Sequence, residues 1–261
     1  MVGDVVGSPG RRMLREHLKA LRENLGLAGI VVNGENAAAG NGITTPLADE
    51  ISSFGADAIT LGDHTWGQKD FSAGVSRLSN CIRPANFPPG APGKGWCIVT
   101  TPLTRFAVVN LIGRIFMQPA ECPFLAADRI LAEIPRDLPV FVDFHAEATS
   151  EKISLAQYLD GRVTAVVGTH THVQTSDAFV FPGGTAFQSD LGMTGPWFSS
   201  IGRAFKPVLQ KFLTGVPARF DVADGPATLE GAVIEFDPAT RRAVSIEPLR
   251  IRENMDTEEP Q

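Results

Sequence analysis

Short apolar runs alternate with segments of helical periodicity through the first two-thirds of the chain. Leu14, Leu18, Leu21 and Leu25 recur at the three- to four-residue spacing of an amphipathic helix. The helices predicted by such spacing are residues 11–25, 46–54, 128–133 and 151–159. The strands predicted by short apolar runs are residues 29–33, 58–61, 106–112, 140–144 and 163–167. This alternation favours an α/β fold with a largely parallel sheet and helical crossovers.

Beyond about residue 218 the pattern changes to strands separated by turns. The strands predicted here are residues 219–222, 227–236 and 242–251. Asp237-Pro238-Ala239-Thr240 lies between the last two, and its composition is typical of a hairpin connection. The last third therefore adds antiparallel strands to the parallel part.

Two segments are predicted to be loops because proline and glycine are concentrated in them, residues 84–94 and residues 181–197. Residues 252–261 are polar and net acidic, which predicts a frayed tail. Neither an internal repeat nor a linker interrupts the pattern, so we interpret residues 1–261 as a single domain.

Composition narrows the classes of partner and the compartment. The chain has 261 residues, 43% of them hydrophobic and 20% charged, with a net charge of −6. This charge argues against stable binding of duplex nucleic acid. No apolar run reaches the ~18 residues that span a bilayer, and no signal peptide is evident, so a membrane is not an expected partner. Three scattered cysteines, Cys81, Cys97 and Cys122, indicate free thiols in a reducing compartment, which predicts a cytoplasmic location.

The informative polar residues lie just past the ends of predicted strands. In open α/β sheets, sites form where the carboxyl ends of strands and their loops converge. A glycine precedes the polar group at Gly3, Gly34, Gly62 and Gly168, which allows a sharp turn and a close approach of the backbone. The polar residues in this position are Asp4, Glu35, Asn36, Asp63, His64, His145, His170 and His172.

Their chemical types predict a metal centre. Asp, Glu and His without Cys favour iron, manganese or zinc. Three carboxylates, an asparagine and four histidines are too many for one ion, but they suit two ions ~3.5–4 Å apart that share a bridging carboxylate. Each motif alone is weak, since His145 could be a core histidine and His-x-His is often structural. The remaining histidine, His17, lies off the leucine stripe and is predicted to be solvated.

Other classes fit the sequence less well. The Gly3–Gly10 segment lacks the endings of a P-loop or a dinucleotide site, and no Gly-x-Ser-x-Gly elbow is present. A metal-dependent amidohydrolase usually carries His-x-His on the first strand of a barrel, whereas here it comes two-thirds along the chain. A metal-binding regulatory or scaffold protein with weak or decayed hydrolase activity is the non-enzymatic alternative.

Ordered motifs run through most of the chain: GDVVG at residues 3–7, NGENAA at 33–38, LGDHTW at 61–66, RPANFP at 83–88, DFHAEATSEK at 143–152, GTHTHVQT at 168–175 and GMTGP at 192–196. Together they resemble the motifs of the YmdB-like bacterial metallophosphoesterases, a branch of the calcineurin-like phosphoesterase superfamily. Relatives carry more apolar residues before the first motif, so we expect either a start upstream of Met1 or an unusually short first strand.

The resemblance implies a four-layer α/β/β/α sandwich, in which two β-sheets packed face to face are flanked by helices. It implies a dinuclear phosphodiesterase that hydrolyses 2′,3′-cyclic or 3′,5′-cyclic nucleotides, or another small phosphodiester, by attack of a metal-bridging hydroxide. The two metal ions, divalent or of mixed valence, would be iron, with manganese as a substitute. A cytoplasmic protein that can form homo-oligomers is also implied.

The resemblance also assigns the residues. Asp4, Glu35, Asn36 and His172 would hold one metal, and Glu35 would bridge to a second metal held by Asp63, His145 and His170. His64 would act as the general acid toward the leaving oxygen. The chain departs from the family at Asp63, where relatives normally have Asn. Three carboxylates against two divalent ions then leave a formal charge of about +1, where an Asn-containing site would leave about +2.

Overall fold

The computed structural model describes residues 1–255. Its strands are β1 Asp4–Val5, β2 Val31–Asn33, β3 Ala58–Thr60, β4 Cys81–Ile82, β5 Trp96–Thr100, β6 Arg105–Ile112, β7 Val140–His145, β8 Ala165–Thr169, β9 Phe179–Val180, β10 Ala186–Gln188, β11 Met193–Pro196, β12 Ala227–Phe236 and β13 Ala243–Arg252. Its helices are α1 Gly7–Leu25, α2 Thr45–Ser53, α3 Phe71–Gly74, α4 Pro123–Glu133, α5 Thr149–Tyr158 and α6 Phe205–Thr214, with a 3₁₀ turn at Val75–Arg77. The fold is mixed α/β, as predicted.

One sheet contains six strands in the order β5-β6-β7-β8-β10-β9. Its four central strands, β6, β7, β8 and β10, are mutually parallel, and the edge strands β5 and β9 are antiparallel. Helix α4 connects β6 to β7, and α5 connects β7 to β8. The predicted parallel strands with helical crossovers are therefore confirmed in this sheet, and their carboxyl ends meet at one edge.

The remaining strands form two sheets that meet at Val2. The strand order is β1-β11-β12-β13 in one sheet and β2-β3-β4 in the other. Val2 bridges to Val32 in parallel and to Gly231 in antiparallel fashion, which joins them. Strands β12 and β13 are antiparallel, and the Asp237 carboxylate accepts a hydrogen bond from the Ala239 amide (2.9 Å) in the turn between them. The predicted hairpin is confirmed.

Apolar side chains form three buried clusters. In the first, Leu14 and Leu18 of α1 pack with Ile51 of α2 and with Val32 and Ile59 of β2 and β3. The second contains side chains of β6, β7, α4 and α5. The third combines side chains of β6, β7 and β8 with those of β2, β3 and β13. Burial of these clusters fixes the strands whose ends carry the polar residues.

Three sequence-based predictions need correction. Residues 219–222 form no strand, because Val222 makes only an isolated bridge to Arg203. Residues 181–197 are not only loop: they contain β10 and β11, too short to show a periodic pattern between proline and glycine. The predicted tail, residues 252–261, is ordered where it begins, since the Glu253 carboxylate accepts hydrogen bonds from the Ala227 amide (2.7 Å) and from Arg12. Residues 256–261 lie outside the described residues.

Within residues 1–255, no helix has the length and apolar character needed to cross a membrane. The loop predicted at residues 84–94 is confirmed, since it separates β4 from β5 without regular structure.

Gly168 provides a test of how tightly β8 packs against the chain after β10. A Cβ added at Gly168 would lie 1.8 Å from the Ser189 carbonyl oxygen, whereas one at Gly90 would meet nothing within 4 Å. We expect Gly168→Ala to lower the free energy of unfolding by about 1–3 kcal/mol or more, because the backbone must shift. Gly90→Ala is the control and should stay within about 0.5 kcal/mol of the parent. Urea unfolding of both variants measures this, and equal stabilities would contradict the packing described.

Candidate metal centre

The structure brings a carboxylate pair and two histidines together at the strand ends. Glu35, Asp63, His145 and His170 each offer one ligand atom, and these atoms all lie within 4.8 Å of one another. The Nε2 atom of His145 is 2.9 Å from Asp63 Oδ1 and 3.2 Å from Glu35 Oε1. The Nδ1 atom of His170 lies 3.5 Å from Asp63 Oδ1. Two carboxylates and two imidazoles so arranged can hold a divalent cation.

A second group of donors also contacts Glu35. The Asn36 amide nitrogen is 3.1 Å from Glu35 Oε1 and 3.1 Å from His172 Nε2. His172 Nε2 is in turn 4.0 Å from Asp4 Oδ1. That oxygen is buried and has no hydrogen-bond partner within the described part of the chain. A buried carboxylate oxygen without a donor is an unsatisfied acceptor that a cation would satisfy.

His64 lies at the boundary of the cluster and solvent. Its Nδ1 atom is 3.2 Å from Glu35 Oε1 and 3.4 Å from Asp63 Oδ1. Its side chain is 40% exposed, compared with 20% for His170, 11% for His172 and 0% for His145. All eight residues predicted from the sequence thus lie in one network of contacts, with His64 the histidine most open to a ligand.

The close approach of these loops depends on Gly62. A Cβ at this position would lie 2.1 Å from Glu35 Oε2 and 2.4 Å from His145 Nε2. Any other residue at this position would therefore push the chain before Asp63 away from Glu35 and His145. This agrees with the close approach predicted from the glycines that precede the polar residues.

The electrostatics of the cluster are dominated by its carboxylates. Burial opposes ionisation of Glu35, but the charge of His145 and hydrogen bonds from His145 and His64 lower its pKa to about 2. Burial also opposes ionisation of Asp63, yet hydrogen bonds from three histidines hold its pKa well below the usual range. Burial raises the pKa of Asp4 to about 7. Hydrogen bonds to Asp63 and Glu35 raise the pKa of His64 to about 10. The cluster therefore favours positive charge at its centre.

A hydrogen-bonded chain behind His145 fixes the orientation of its ring. His145 Nδ1 is 2.9 Å from Thr169 Oγ1, and the Thr169 hydroxyl donates to Asp143 Oδ1 at 2.7 Å. The amide of Asn33 donates to the other Asp143 oxygen at 2.9 Å. Because the Thr169 proton is used toward Asp143, its oxygen accepts from Nδ1–H of His145. The Nε2 atom then faces Glu35 and Asp63, and it is the ring nitrogen that could bind a metal after losing its proton.

A buried ion pair shapes the loop that carries the other two histidines. His170 and His172 have φ values of 101° and 63°, a backbone conformation that residues other than glycine rarely adopt. Thr171 between them donates its backbone N–H (3.0 Å) and its hydroxyl (2.7 Å) to Asp190 Oδ2. Lys152 Nζ lies 2.9 Å from the same oxygen, and both charged groups are buried. The surrounding contacts thus offset the strain at both histidines.

Four residues that support the site were not predicted from the sequence: Asp143, Thr169, Lys152 and Asp190. A signal was present for Asp143, which interrupts the apolar strand at residues 140–144. Lys152 lies in the helix predicted at residues 151–159, and because lysine side chains are usually exposed, no local signal indicated its burial. Contacts between residues far apart in the chain decide these roles.

Lys152 allows the buried pair to be tested. Lys152→Met leaves the Asp190 carboxylate buried without its cation, so we expect the free energy of unfolding to fall by about 3–5 kcal/mol. The control is Arg129→Met, which removes an exposed pair with Glu121 (3.1 Å) and should cost less than about 1 kcal/mol. Chemical denaturation compares the two. If Lys152→Met is as stable as Arg129→Met, the pair does not support the loop.

Comparisons with known proteins agree with this geometry. Residues 1–249 match the family described as YmdB-like protein. A Bacillus subtilis (strain 168) protein named 2′,3′-cyclic-nucleotide 2′-phosphodiesterase is 47% identical over 254 residues, which are 97% of this chain and 96% of that protein.

Two solved structures share the fold along nearly their whole length. A hypothetical protein from Thermus thermophilus superposes with a TM-score of 0.91 at 42% identity, over 97% of this chain and 98% of that one. A structure described as a novel phosphatase from Mycoplasma pneumoniae gives a TM-score of 0.92 at 32% identity, over 98% and 93%. With the match over residues 1–249, these likenesses show that the chain belongs to the YmdB-like protein family.

Proposed function

We propose that the chain is a dinuclear metal-dependent phosphodiesterase that hydrolyses 2′,3′-cyclic or 3′,5′-cyclic nucleotides. The observation that carries this proposal is the position of the Glu35 carboxylate between two groups of donors. Its Oε1 atom contacts His145 of one group (3.2 Å) and Asn36 of the other (3.1 Å). A carboxylate shared in this way is what two neighbouring cations require. The relative from Bacillus subtilis, by its name, acts on 2′,3′-cyclic nucleotides.

The residues present fit a pair of ions. Asp4, Glu35, Asn36 and His172 would hold one, and Glu35, Asp63, His145 and His170 would hold the other. The unpartnered, buried Asp4 Oδ1 supports the first site. Asn36 would bind through its amide oxygen, which exchanges places with the nitrogen by a flip of the amide. Hard and borderline donors without sulfur suit iron, with manganese as a substitute. When bound, two such cations lower the pKa of water and neutralise charge on a phosphoryl group.

His64 would supply the proton to the leaving oxygen. It contacts Glu35 and Asp63 through Nδ1 (3.2 and 3.4 Å), so the carboxylates orient its ring. At 40% exposure its side chain is accessible to a substrate, whereas the other three clustered histidines are more deeply enclosed. During hydrolysis a water molecule that has released one proton to solvent adds to phosphorus, the ester P–O bond breaks, and the departing alkoxide takes the proton from His64. His64 then regains a proton from solvent.

The fold that we propose is the single-domain, four-layer α/β/β/α sandwich of the metallophosphoesterases. Three apolar clusters support it, because four layers have three interfaces. One cluster packs α1 and α2 on a sheet, one contains side chains of both sheets, and one packs α4 and α5 on the six-stranded sheet.

The proposal also includes a cytoplasmic location and the formation of homo-oligomers. The described cysteines are all free thiols, which fits a cytoplasmic protein. Homo-oligomer formation stays part of the proposal, and α6 offers a surface for it. Phe205, Phe212 and Leu213 of this helix are 60%, 80% and 76% exposed.

Removal of a ligand histidine should remove one metal. We expect His145→Ala and His170→Ala to lose the second ion and to slow turnover more than about 100-fold, because a missing ligand costs more than a missing outer contact. His17→Ala, on α1, is the control. Elemental analysis gives the metal content, and circular dichroism checks the fold. Parental metal content in either variant would contradict the dinuclear assignment, and two bound metals without diester turnover in the parent would favour a regulatory or scaffold protein.

The role of His64 predicts a dependence on the leaving group. His64→Ala should retain both metals and slow hydrolysis of a cyclic nucleotide by about 10²–10⁴-fold, because an alkoxide is a poor leaving group. A nitrophenyl diester should slow far less, since nitrophenolate leaves without a proton. Rates for both substrates with metal content measured in parallel provide the test. Equal losses would show that His64 positions the substrate and does not protonate it.

A further inference from the structure

A cleft opens beside His64. Its volume is about 620 Å³, and His64 is part of its wall. Clefts that bind small molecules usually measure ~300–1,000 Å³. The same cleft is lined by Ser8, Asn41, Gln68, Arg203 and Phe220. It is therefore large enough for a ligand and continuous with the proposed general acid.

We propose that this cleft is a nucleoside subsite, which holds the sugar and base of a cyclic mononucleotide while the phosphoryl group lies at the metal centre. The inference rests on the proposed function. In a cyclic nucleotide the leaving oxygen stays attached to the ribose. The nucleoside must therefore extend from the phosphorus on the side of the group that protonates this oxygen. His64 and the cleft lie together on that side.

Uncharged polar groups in the cleft wall are available to a sugar and base. The Ser8 hydroxyl is exposed, and neither it nor the Asn41 side-chain amide has a hydrogen-bond partner among residues 1–255. The side-chain amide nitrogen of Gln68 donates to the backbone carbonyl oxygen of Asn41 at 2.6 Å. This hydrogen bond fixes the Gln68 side chain and leaves its amide oxygen free to accept a hydrogen bond. Amides present both donors and acceptors, as the hydrogen-bonding edge of a base requires.

The cations of the cleft are already engaged. Arg203 donates to the carbonyl oxygens of Ala39 (3.3 Å), Gly40 and Phe220 (3.0 Å). Arg219 pairs with Asp221 at 2.9 Å. Because Arg203 is held by backbone carbonyl oxygens and the exposed Arg219 by a carboxylate, we expect the cleft to accept an uncharged nucleoside more readily than a second phosphate. The Phe220 ring and the side chains of Val222 and Ala38 supply an apolar surface for the base.

The subsite predicts a difference between substrates with and without a nucleoside. Ethylene phosphate is a cyclic diester that lacks sugar and base. We expect Asn41→Ala and Gln68→Ala each to raise KM for 2′,3′-cyclic AMP about three- to tenfold more than KM for ethylene phosphate, as for loss of one hydrogen bond. The matched controls are Asn24→Ala and Gln157→Ala, both exposed on helices outside the cleft. Addition of a 5′-phosphate to 2′,3′-cyclic AMP should change KM less than about threefold.

Binding of adenosine to the metal-loaded protein, measured by calorimetry, tests the subsite without turnover. Asn41→Ala and Gln68→Ala should weaken this binding about three- to tenfold, and the controls should not. Equal effects on both diesters, no adenosine binding by the parent, or tenfold tighter binding of the 5′-phosphorylated substrate would overturn the proposal. If the parent hydrolyses neither diester, the proposed function fails, and adenosine binding still decides whether the cleft is a nucleoside site.

Discussion

The buried carboxylate of Glu35 is the constraint on which the rest of the site depends. An isolated carboxylate in the interior costs many kcal/mol, so it must be surrounded by donors or cations. The chain meets this requirement with His145, His64 and Asn36, all about 3.1–3.2 Å from one oxygen. Gly62 keeps the neighbouring strand end free of a side chain that would displace Glu35. The carboxylate thus connects two groups of donors that lie on different strands.

Further buried carboxylates hold the ligands in place without belonging to the cluster. Asp143 acts through Thr169 on the ring of His145, and Asp190, paired with Lys152, binds the loop between His170 and His172. Each accepts several hydrogen bonds, so each is satisfied despite its burial. The hydrogen bonds of Asp143 keep the His145 ring in position even when no cation is bound. Those of Asp190 stabilise the loop in which His170 and His172 have strained backbone conformations.

The site could be predicted from the sequence more fully than the fold around it. Glu35, His145 and His172 follow apolar strands, and the carboxyl ends of parallel strands must meet, so local patterns were enough to group them. Strands β10 and β11 were missed because their three or four residues lie among proline, glycine and polar residues, without the apolar run that marks the equally short β2 and β3. Asp190 and Lys152 are 38 residues apart in the chain, and only the packed structure shows that they pair at 2.9 Å. A contact between residues so far apart in the chain produces no pattern in the local spacing of polar and apolar residues.

Asp63 shows how a single residue can alter the balance of such a site. Its Oδ1 atom lies 2.9 Å from His145, 3.4 Å from His64 and 3.5 Å from His170, so one carboxylate oxygen contacts three imidazoles. An amide oxygen at the same place would accept hydrogen bonds but would carry no charge. The carboxylate therefore draws the three histidines together more strongly than Asn could. In the proposed dinuclear site, it would also lower the net positive charge that the two cations present to a phosphoryl group. Firmer retention of metal and weaker polarisation of substrate would then be two consequences of the same negative charge.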